Sequence, residues 1–309
     1  MYYFIINPAS CSGHRKDLWK TLETILKEEN VPYQAAFTTK KGDAERLAAK
    51  ASAKADEKHP VTIITVGGDG TANEAANGLV LSPHLTFGYI PSGSGNDLAR
   101  GLALPTKPAD ALRAILHPSK VQKIRVGKIL TDNGTSRRFL ISSGGGYDAA
   151  VCHGVQKTRL KTMFNSIGLG KLVYFAVALR QLIRMKGIPV TLTLDGEQVF
   201  CGPVFFLAFM NTRFEGGGFM FCPEADPSDN ILDICFADEM PKPRVLFLLP
   251  QALFGKHVKY KDVVHLHRCH SAVLETTESF HVHTDGECLE LHKRLEVSLE
   301  EEPLSFICG

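Results

Sequence analysis

The sequence lacks several features that would place it in a well-defined class at once. Its eight cysteines are scattered and none forms a Cys-x-x-Cys pair, so we expect free thiols in a reducing compartment rather than a disulfide framework. No apolar run approaches the roughly 18 residues of a membrane-spanning helix. The first residues lack the basic region of a signal peptide and are typical of a β-strand. A net charge of +2 gives no reason to expect a nucleic-acid partner.

Two common nucleotide-binding signatures are also missing. The chain has neither the Gly-x-x-x-x-Gly-Lys-[Ser/Thr] loop of P-loop proteins nor the His-Arg-Asp loop of protein kinases. Gly144-x-Gly146-x-x-Ala149 fits a dinucleotide fingerprint, but it lies beyond the part of the chain in which strands and helices alternate. A nicotinamide-binding fold is therefore disfavoured.

The first third of the chain alternates strand and helix patterns, and 44% hydrophobic residues supply a core. Short β-branched runs end at glycine or proline, and helical spacing follows each of them. This alternation predicts a parallel sheet covered by helices on both faces. The predicted strands are Tyr2–Ile6, Tyr33–Thr38, Val61–Val66 and Thr86–Ile90, and the predicted helices are Asp17–Glu29, Asp43–Lys58, Ala72–Val80 and Asn96–Leu102.

From about Val121 onward the segments are mostly β-like, with helical patterns only at Gly170–Lys186 and about Pro243–Gly255. We therefore predict an α/β chain of two domains, an N-terminal parallel α/β domain and a C-terminal, mainly antiparallel β-sandwich. The expected limits are 1–125 for the first domain, with 293–309 as a candidate completion of it, and 126–292 for the second. The predicted strands of this part are Phe139–Ser143, Val190–Leu194, Val204–Met210, Ile231–Ala237, Val263–His267, Ala272–Thr276 and Leu295–Leu299.

Three loops rich in small residues follow predicted strands of the first domain. Val66–Glu74 holds Gly-Gly-Asp-Gly-Thr, Pro91–Arg100 holds Ser-Gly-Ser-Gly-Asn-Asp, and Asn7–Gly13 follows the first strand. Glycines let a backbone approach a ligand closely, and N–H groups at helix starts suit phosphate oxygens. Carboxyl ends of parallel strands share one edge of a sheet. The sequence thus predicts a phosphate site there, where Asp69 could hold Mg²⁺.

These loops resemble those of the diacylglycerol kinase catalytic-domain family, especially the stand-alone bacterial lipid kinases. The family's Gly-Gly-Asp-Gly-Thr stands as Gly67–Thr71, and its Gly-[Thr/Ser]-x-Asn-Asp stands as Gly93–Asp97. Sphingosine kinases share this module, and NAD kinases and phosphofructokinases share the first motif. The resemblance covers nearly the whole chain. It implies an ATP- and Mg-dependent transfer of the γ-phosphoryl group to a lipid hydroxyl, with diacylglycerol giving phosphatidic acid.

The resemblance also implies the residues that contact ATP. Cys11 stands where the family usually has glycine, and its side chain is expected to narrow the first phosphate loop. The family's segment at Gly146–Ala149 is expected at the cleft between the domains, where the ATP site is also expected. The implied ATP contacts are Asn7, Pro8, Ala9, Ser10, Cys11, Thr38, Gly67, Gly68, Asp69, Gly70, Thr71, Ala72, Asn73, Glu74, Ser94, Asn96 and Asp97.

Two further segments near the C-terminus match the family. Thr284–Glu287 contains its Asp-Gly-Glu, so Asp285 is the implied catalytic carboxylate that takes the acceptor's proton, and Glu287 is implied to support the metal–phosphate site. A single positioned carboxylate suffices for this chemistry because the transition state of phosphoryl transfer is loose. Without the resemblance, the same three residues are typical of a hairpin turn.

The second of these segments is the acidic turn Cys222–Asp233. By resemblance, Asp229 and the backbone oxygens of Asp226 and Ile231 hold a structural Mg²⁺. Asn230 replaces the family's usual glycine, and asparagine tolerates positive φ, so the turn is expected to survive. A solvated acidic turn without metal is the alternative.

A long basic stretch suggests contact with a membrane. From Ala149 to Leu194 there is no Asp or Glu, and Arg180, Arg184 and Lys186 accompany many apolar residues. A basic, partly apolar helix suits the surface of an anionic bilayer. We therefore hypothesise a cytoplasmic enzyme bound peripherally to the inner face of the membrane. The alternative is a helix packed on the second domain with its cationic side in water.

Other functions stay open on the sequence alone. The acceptor could be another lipid, such as a sphingoid base or phosphatidylglycerol, or a soluble molecule such as NAD. A regulatory protein that binds ATP without turnover is a non-enzymatic alternative. His281-x-His283, with other histidines nearby, also permits a zinc site, although ordinary strand histidines are the simpler interpretation.

Overall fold

The chain divides into two units. The computed structural model describes residues 1–10, 18–146, 149–150 and 186–309. The first unit comprises Met1–Val126 and Glu300–Gly309, and the second comprises Gly127–Leu299. None of the helices in the described ranges combines the length and the hydropathy that a membrane span requires.

The first unit is a six-stranded sheet with five α-helices in its described part. Its strands are β1 (Tyr2–Ile6), β2 (Tyr33–Phe37), β3 (Val61–Gly67), β4 (Leu85–Pro91), β5 (Val121–Ile124) and β15 (Leu304–Ile307). Its helices are α1 (Leu18–Glu28), α2 (Asp43–Ser52), α3 (Asp69–Gly78), α4 (Asp97–Gly101) and α5 (Pro108–Leu116). The strand order is β2-β1-β3-β4-β15-β5, parallel throughout except for β5, which runs antiparallel to β15.

The core of the first unit explains why its central strands form. β3 and β4 are buried along nearly all of their length, as expected of parallel strands covered on both faces. Helices α1 and α5 pack on one face, where Leu22 and Leu112 meet Phe4 and Ile64. Each parallel strand therefore ends in a loop at the same edge of the sheet.

The second unit is a nine-stranded antiparallel sheet with one described α-helix. Its strands are β6 (Gly127–Thr131), β7 (Ser136–Phe139), β8 (Ser142–Gly146), β9 (Ile188–Leu194), β10 (Glu197–Met210), β11 (Leu232–Asp238), β12 (Val264–Cys269), β13 (Ser271–Thr284) and β14 (Glu287–Leu299), and its helix is α6 (Lys242–Ala252). The main path is β12-β11-β10-β8-β13-β14-β6-β7, and β9 pairs with β10 and β13.

Alternation along the strands gives the second sheet two apolar faces. On β10, Leu207 and Phe209 belong to one buried cluster, whereas Ala208 and Met210 belong to another. This is the expected result of side chains pointing to opposite faces at successive residues. Helix α6 packs against the second cluster through Val245 and Leu248.

The predicted fold class is confirmed: a parallel α/β unit is followed by an antiparallel β-rich unit. Several element limits differ. Helix α3 begins at Asp69 rather than Ala72, helix α5 is not among the predicted elements, and β13 and β14 are much longer than Ala272–Thr276 and Leu295–Leu299. The helix predicted at Gly170–Lys186 lies outside the described residues except for its last residue.

Candidate active site

The three loops predicted to bind phosphate, the first of them described only as far as Ser10, begin at the same edge of the first sheet. They follow β1, β3 and β4, which are neighbours in the order β1-β3-β4. Backbone bonds continue this pairing beyond the strands: Asn7 N–H donates to the Val66 carbonyl at 2.9 Å, and Ser92 N–H donates to the Gly67 carbonyl at 2.7 Å. Parallel pairing thus brings together residues that are far apart in sequence.

Side chains connect the first loop to the other two. The Asn7 amide Nδ2 donates to Thr71 Oγ1 at 2.9 Å, which ties the end of β1 to the first turn of α3. The hydroxyls of Ser10 and Ser92 hydrogen-bond at 2.9 Å, which ties the first loop to the loop after β4. The contact between Ser10 and Ser92 would have been hard to predict from sequence, because serines in loops are common.

The loops after β3 and β4 are in backbone contact. An added Cβ on Gly93 would lie 2.7 Å from the Gly68 Cα, and one on Gly67 would lie 2.6 Å from Thr71 Cβ. Such distances are far shorter than van der Waals contact, so the present arrangement requires glycine at Gly67 and Gly93. The two glycine motifs recognised in the sequence thus form one continuous surface of backbone.

Asp69 is the polar link between these two loops. Its carboxylate accepts hydrogen bonds from the backbone N–H groups of Asp97 (3.0 Å) and Leu98 (3.3 Å) and from the Tyr89 hydroxyl (3.2 Å). Burial raises the pKa of Asp69, and these donors oppose the rise. The carboxylate therefore caps helix α4 from outside it, a role that its position in a Gly-Gly-Asp-Gly turn did not predict.

Asp69 and Asp97 also face a common small space. An added Cβ on Gly95 would lie 3.3 Å from Asp69 Oδ2 and 3.8 Å from Asp97 Oδ2. Asp97 in turn pairs with Arg100. Carboxylate oxygens converging beside a glycine are ligands of the type Mg²⁺ prefers, so the residues present fit a phosphate-bound cation here.

Thr38 lies at the same edge, beside the end of β1, where its N–H donates to the Ile6 carbonyl at 2.8 Å. The turn that follows is fixed by Asp43, whose Oδ2 accepts from the Thr39 N–H, the Thr39 hydroxyl and the Lys40 N–H. These donors, with those of Thr39 foremost, hold the pKa of Asp43 far below its usual range. Asp43 was predicted only as the first residue of a helix.

The predicted ATP-contacting residues in the described ranges therefore lie on three neighbouring loops and on Thr38 beside them. Direct contacts link Asn7 with Thr71, Asp69 with Asp97, and Gly68 with Gly93. Cys11, Tyr147 and Asp148 lie outside the described residues. The assignment of Cys11 and of the loop residues to ATP binding, and that of Gly146–Ala149 to a cleft between the domains, remain predictions.

In the second unit, Asp285 lies in the tight turn between β13 and β14 and adopts φ 49°. Its carboxylate accepts three backbone N–H groups: Leu140 at 2.8 Å, Ile141 at 2.8 Å and Ser142 at 2.9 Å. Its own N–H donates to the Ser142 carbonyl at 2.9 Å. Three converging donors favour the charged carboxylate and fix its orientation.

A buried histidine also supports the Asp-Gly-Glu turn. The Gly286 N–H donates to His283 Nδ1 at 3.3 Å, so the imidazole carries its proton on Nε2, which lies 3.1 Å from Glu215 Oε1. His283 is completely buried, and Glu215 is nearly so. The histidine that the sequence offered as a zinc ligand is thus a positioning residue for the turn. Glu287, half-buried, begins β14 and pairs with Thr284.

The acidic turn Cys222–Asp233 contains the residues predicted to hold a structural Mg²⁺. Asn230 adopts φ 61°, as expected for a residue in place of glycine. Asp229 Oδ1 accepts from the Ile231 N–H at 3.0 Å, and the Asp226 carbonyl accepts from the Asp229 N–H at 3.2 Å. Two of the expected ligand groups are therefore engaged within the turn itself.

A guanidinium supplies positive charge to the same turn. Arg268, on β12, pairs with Asp229 and places its Nε 3.3 Å from Asp233 Oδ1. Burial raises the pKa of Asp233 to about 6, and the Arg268 charge opposes that rise. The described residues thus fit an arginine-neutralised turn better than a metal cage, and Mg²⁺ binding at Asp226, Asp229 and Ile231 stays a prediction.

Replacing Arg268 with glutamine is expected to lower the midpoint of thermal unfolding by about 4 °C, because Asp229 and Asp233 lose their counter-charge. Added Mg²⁺ should restore part of this loss in the variant and leave the wild type unchanged. Circular dichroism melts in Mg²⁺ and in EDTA make the comparison. Arg294→Gln, which removes an arginine between Glu275 and Glu296, is the matched control. Destabilisation of the wild type by EDTA would instead support a metal at this turn.

Two family models match the chain. One, described as Diacylglycerol kinase catalytic domain, matches residues 1–129. The other, described as YegS C-terminal NAD kinase beta sandwich-like domain, matches residues 141–300. Between them they include the glycine loops, the acidic turn and the Asp-Gly-Glu turn.

Known proteins of similar sequence or structure agree with these matches. A diacylglycerol kinase of Mycobacterium tuberculosis (strain ATCC 25618 / H37Rv) is 33% identical over 221 residues, which are 72% of this chain and 68% of the relative. A crystal structure of a diacylglycerol kinase from Bacillus anthracis str. Sterne has a TM-score of 0.70 at 22% identity, covering 99% of this chain and 96% of that one. An NAD kinase from Archaeoglobus fulgidus in complex with ATP has a TM-score of 0.54 at 15% identity, covering 99% and 93%. At these identities, the two solved structures demonstrate a shared fold.

Proposed function

The chain belongs to the diacylglycerol kinase catalytic-domain family of bacterial lipid kinases, and from that premise we propose that it transfers the γ-phosphoryl group of ATP to the free hydroxyl of diacylglycerol. The proposal that ATP is the phosphoryl donor rests on the backbone contact between the two glycine loops at Gly68 and Gly93. The acceptor half rests on relatives such as the Mycobacterium tuberculosis enzyme, whose name specifies diacylglycerol.

ATP is proposed to bind with its phosphates against the loops after β1, β3 and β4. The first turn of α3 contributes backbone N–H groups and the positive end of the helix dipole. Asn7 and Thr71 hold one side of this surface, and Ser10 and Ser92 hold another. An ATP complex of an NAD kinase with the same fold supports ATP as the donor.

Magnesium is proposed to accompany ATP. When bound, it neutralises charge on the β- and γ-phosphates of the nucleotide. Asp69 and Asp97 are the residues that would hold it, because their Oδ2 atoms face the space beside Gly95. Burial raises the pKa of Asp69, and the donors from α4 and Tyr89 oppose that rise.

Asp285 is proposed as the carboxylate that orients the attacking hydroxyl. The acceptor oxygen forms a bond to the γ-phosphorus, the bond from phosphorus to the β-phosphate oxygen breaks, and the hydroxyl proton passes to the carboxylate as ADP leaves. A carboxylate with three N–H donors is a weak base. It nevertheless suffices here, since a loose transition state needs orientation more than full deprotonation. Glu287, two residues on, is proposed to support the metal–phosphate charge.

The test is transfer of label from γ-labelled ATP, with Mg²⁺, to mixed micelles containing diacylglycerol. We expect label in phosphatidic acid. If diacylglycerol stays unlabelled but another lipid of a total extract acquires label, the acceptor proposed is wrong and the lipid kinase remains. If only NAD is labelled, the enzyme acts on a soluble acceptor; ATP binding without any labelled product would indicate the regulatory alternative. A cytoplasmic, peripheral location at the membrane is the corresponding proposal for the cell.

A further inference from the structure

Helix α6 is apolar on the side that faces solvent as well as on the side that faces the sheet. Val245, Leu248 and Ala252 are buried. On the other side Leu246 is 50% exposed and Phe247 58%, and just past the helix end Leu253 is 41% exposed and Phe254 69%. We call these four residues the α6 apolar face; they are Leu246, Phe247, Leu253 and Phe254.

This exposure is concentrated rather than scattered. Twelve large hydrophobic side chains are exposed among the described residues, and four of them lie between positions 246 and 254. Single exposed apolar residues are ordinary, but the outer side of a helix in a water-soluble protein is normally polar. The spacing of 246, 247, 250, 253 and 254 places them along one side of the helix, where residue 250 is an exposed proline. The α6 apolar face therefore needs an apolar partner.

The charges around the α6 apolar face are predominantly positive. Residues 240–261 contain no Asp or Glu and five basic residues, which are Lys242, Arg244, Lys256, Lys259 and Lys261. Three of these lysines, at 256, 259 and 261, are exposed. The Lys256 ammonium lies 5.7 Å from the centre of the Phe254 ring, so the cationic and apolar groups are in direct contact. Arg244 has a partner in Asp262, at the end of the segment.

This combination selects among possible partners. A second copy of the chain bound through the same face would bring its lysines against these lysines, which opposes a two-fold symmetric contact. An anionic bilayer offers both an apolar interior for the rings and negative headgroups for the lysines, and each lysine near such a surface adds attraction.

We propose that the α6 apolar face and its flanking lysines dock the second unit onto an anionic lipid bilayer. The phenylalanine and leucine side chains enter the boundary between headgroups and acyl chains, and the lysines contact lipid phosphates. The proposal rests on the proposed function only in that a membrane lipid as acceptor gives docking a purpose. The surface itself follows from the exposure and charge of residues 242–261.

The test is sedimentation of the full chain with phosphatidylcholine vesicles that contain phosphatidylglycerol, without ATP or diacylglycerol. We expect the wild type to bind, with binding that falls as salt rises, and the double variant Phe247→Ser/Phe254→Ser to bind at least about tenfold more weakly. The matched control is Leu266→Ser/Leu291→Ser, which removes two exposed apolar side chains on β12 and β14 and should bind as the wild type does. Equal melting curves establish that all three proteins are folded.

A second acceptor distinguishes an effect of the double variant on membrane docking from an effect on catalysis. A short-chain diacylglycerol dissolved as monomers should be phosphorylated equally by the wild type and by Phe247→Ser/Phe254→Ser. If no diacylglycerol is phosphorylated but vesicle binding still depends on Phe247 and Phe254, the proposed function fails and the docking surface stands. Vesicle binding that is absent in the wild type, or unchanged in the double variant, overturns the docking surface. So does a wild-type dimer in sedimentation velocity that the double variant loses.

Discussion

Replacing Asp285 with alanine is expected to reduce kcat about 10²–10⁴-fold, the usual contribution of a group that accepts a proton in the transition state. The same substitution should also destabilise the second unit. The N–H groups of Leu140, Ile141 and Ser142 lose their acceptor. Leaving a buried N–H donor without its acceptor costs about 1–3 kcal/mol. Labelled phosphatidic acid measures kcat, and urea unfolding measures stability.

Because the substitution has two effects, a control must separate them. Asn211 holds the same segment through its carbonyl groups: its Nδ2 donates to the Leu140 carbonyl at 3.0 Å, and its N–H donates to the Ile141 carbonyl at 2.8 Å. Asn211→Ala should therefore loosen the segment and lower stability, yet keep most of the activity of each folded molecule. If Asn211→Ala and Asp285→Ala lose activity in equal measure, Asp285 acts only as a structural anchor.

Asp285→Asn is a more conservative version of the same experiment. Its side-chain oxygen can accept from Ile141 and Ser142, but its NH₂ group must then face the Leu140 N–H. We expect a smaller loss of stability than in the alanine variant and a similar loss of kcat, since the amide cannot take the hydroxyl proton. Appreciable activity in Asp285→Asn would assign proton removal to another group.

The sequence predicted the fold class and the grouping of the glycine loops for one physical reason. Both depend on local periodicity and on the rule that parallel strands end at one edge of a sheet. Val61–Val66 and Thr86–Ile90 were recognised as strands because their β-branched runs stop at Gly67 and Pro91. Once those strands pair in register, Ser92 N–H bonds to the Gly67 carbonyl and the loops must meet.

What the sequence did not predict depends on register between distant strands. Glu215 supports His283 across 68 residues, and Arg268 reaches Asp229 across 39. Nothing in the local pattern distinguishes these residues from exposed charges. The Tyr89 hydroxyl, which donates to Asp69, is hidden in the same way, because its ring is typical of any buried strand. Only the folded arrangement reveals such partners.

The prediction of strand lengths was wrong for a different reason. β13 extends from Ser271 to Thr284, but the polar run Glu275–Ser279 interrupts its apolar alternation, so only Ala272–Thr276 was predicted. Register shifts between Glu275 and Phe280 mark the same place in the pairing with β14. Irregular pairing lets a strand continue through polar residues that leave no periodic signal.

Replacing Gly93 with alanine is expected to weaken ATP binding by at least about tenfold, because the new Cβ would lie 2.7 Å from the Gly68 Cα. The atom in the way is backbone, which cannot rotate aside as a side chain can. Separation of the two loops by a fraction of an ångström to about 1 Å would move N–H groups away from the phosphate oxygens they are proposed to contact. Titration with a non-hydrolysable ATP analogue measures the change in Kd.

The matched control is Gly95→Ala, two residues further along the same loop. Its added Cβ meets only the side-chain oxygens of Asp69 at 3.3 Å and Asp97 at 3.8 Å, so the loops can stay together. Because the new methyl group enters the space proposed for Mg²⁺, both variants are titrated without Mg²⁺, and there a smaller rise in Kd is expected for Gly95→Ala. Overpacking at Gly93 should cost about 1–3 kcal/mol of stability, and melting curves show whether the first unit remains folded during titration. If Gly93→Ala binds the analogue as tightly as the wild type, contact between the loops after β3 and β4 is not what forms the phosphate site. The donor half of the proposed function would then have to rest on the loop after β1.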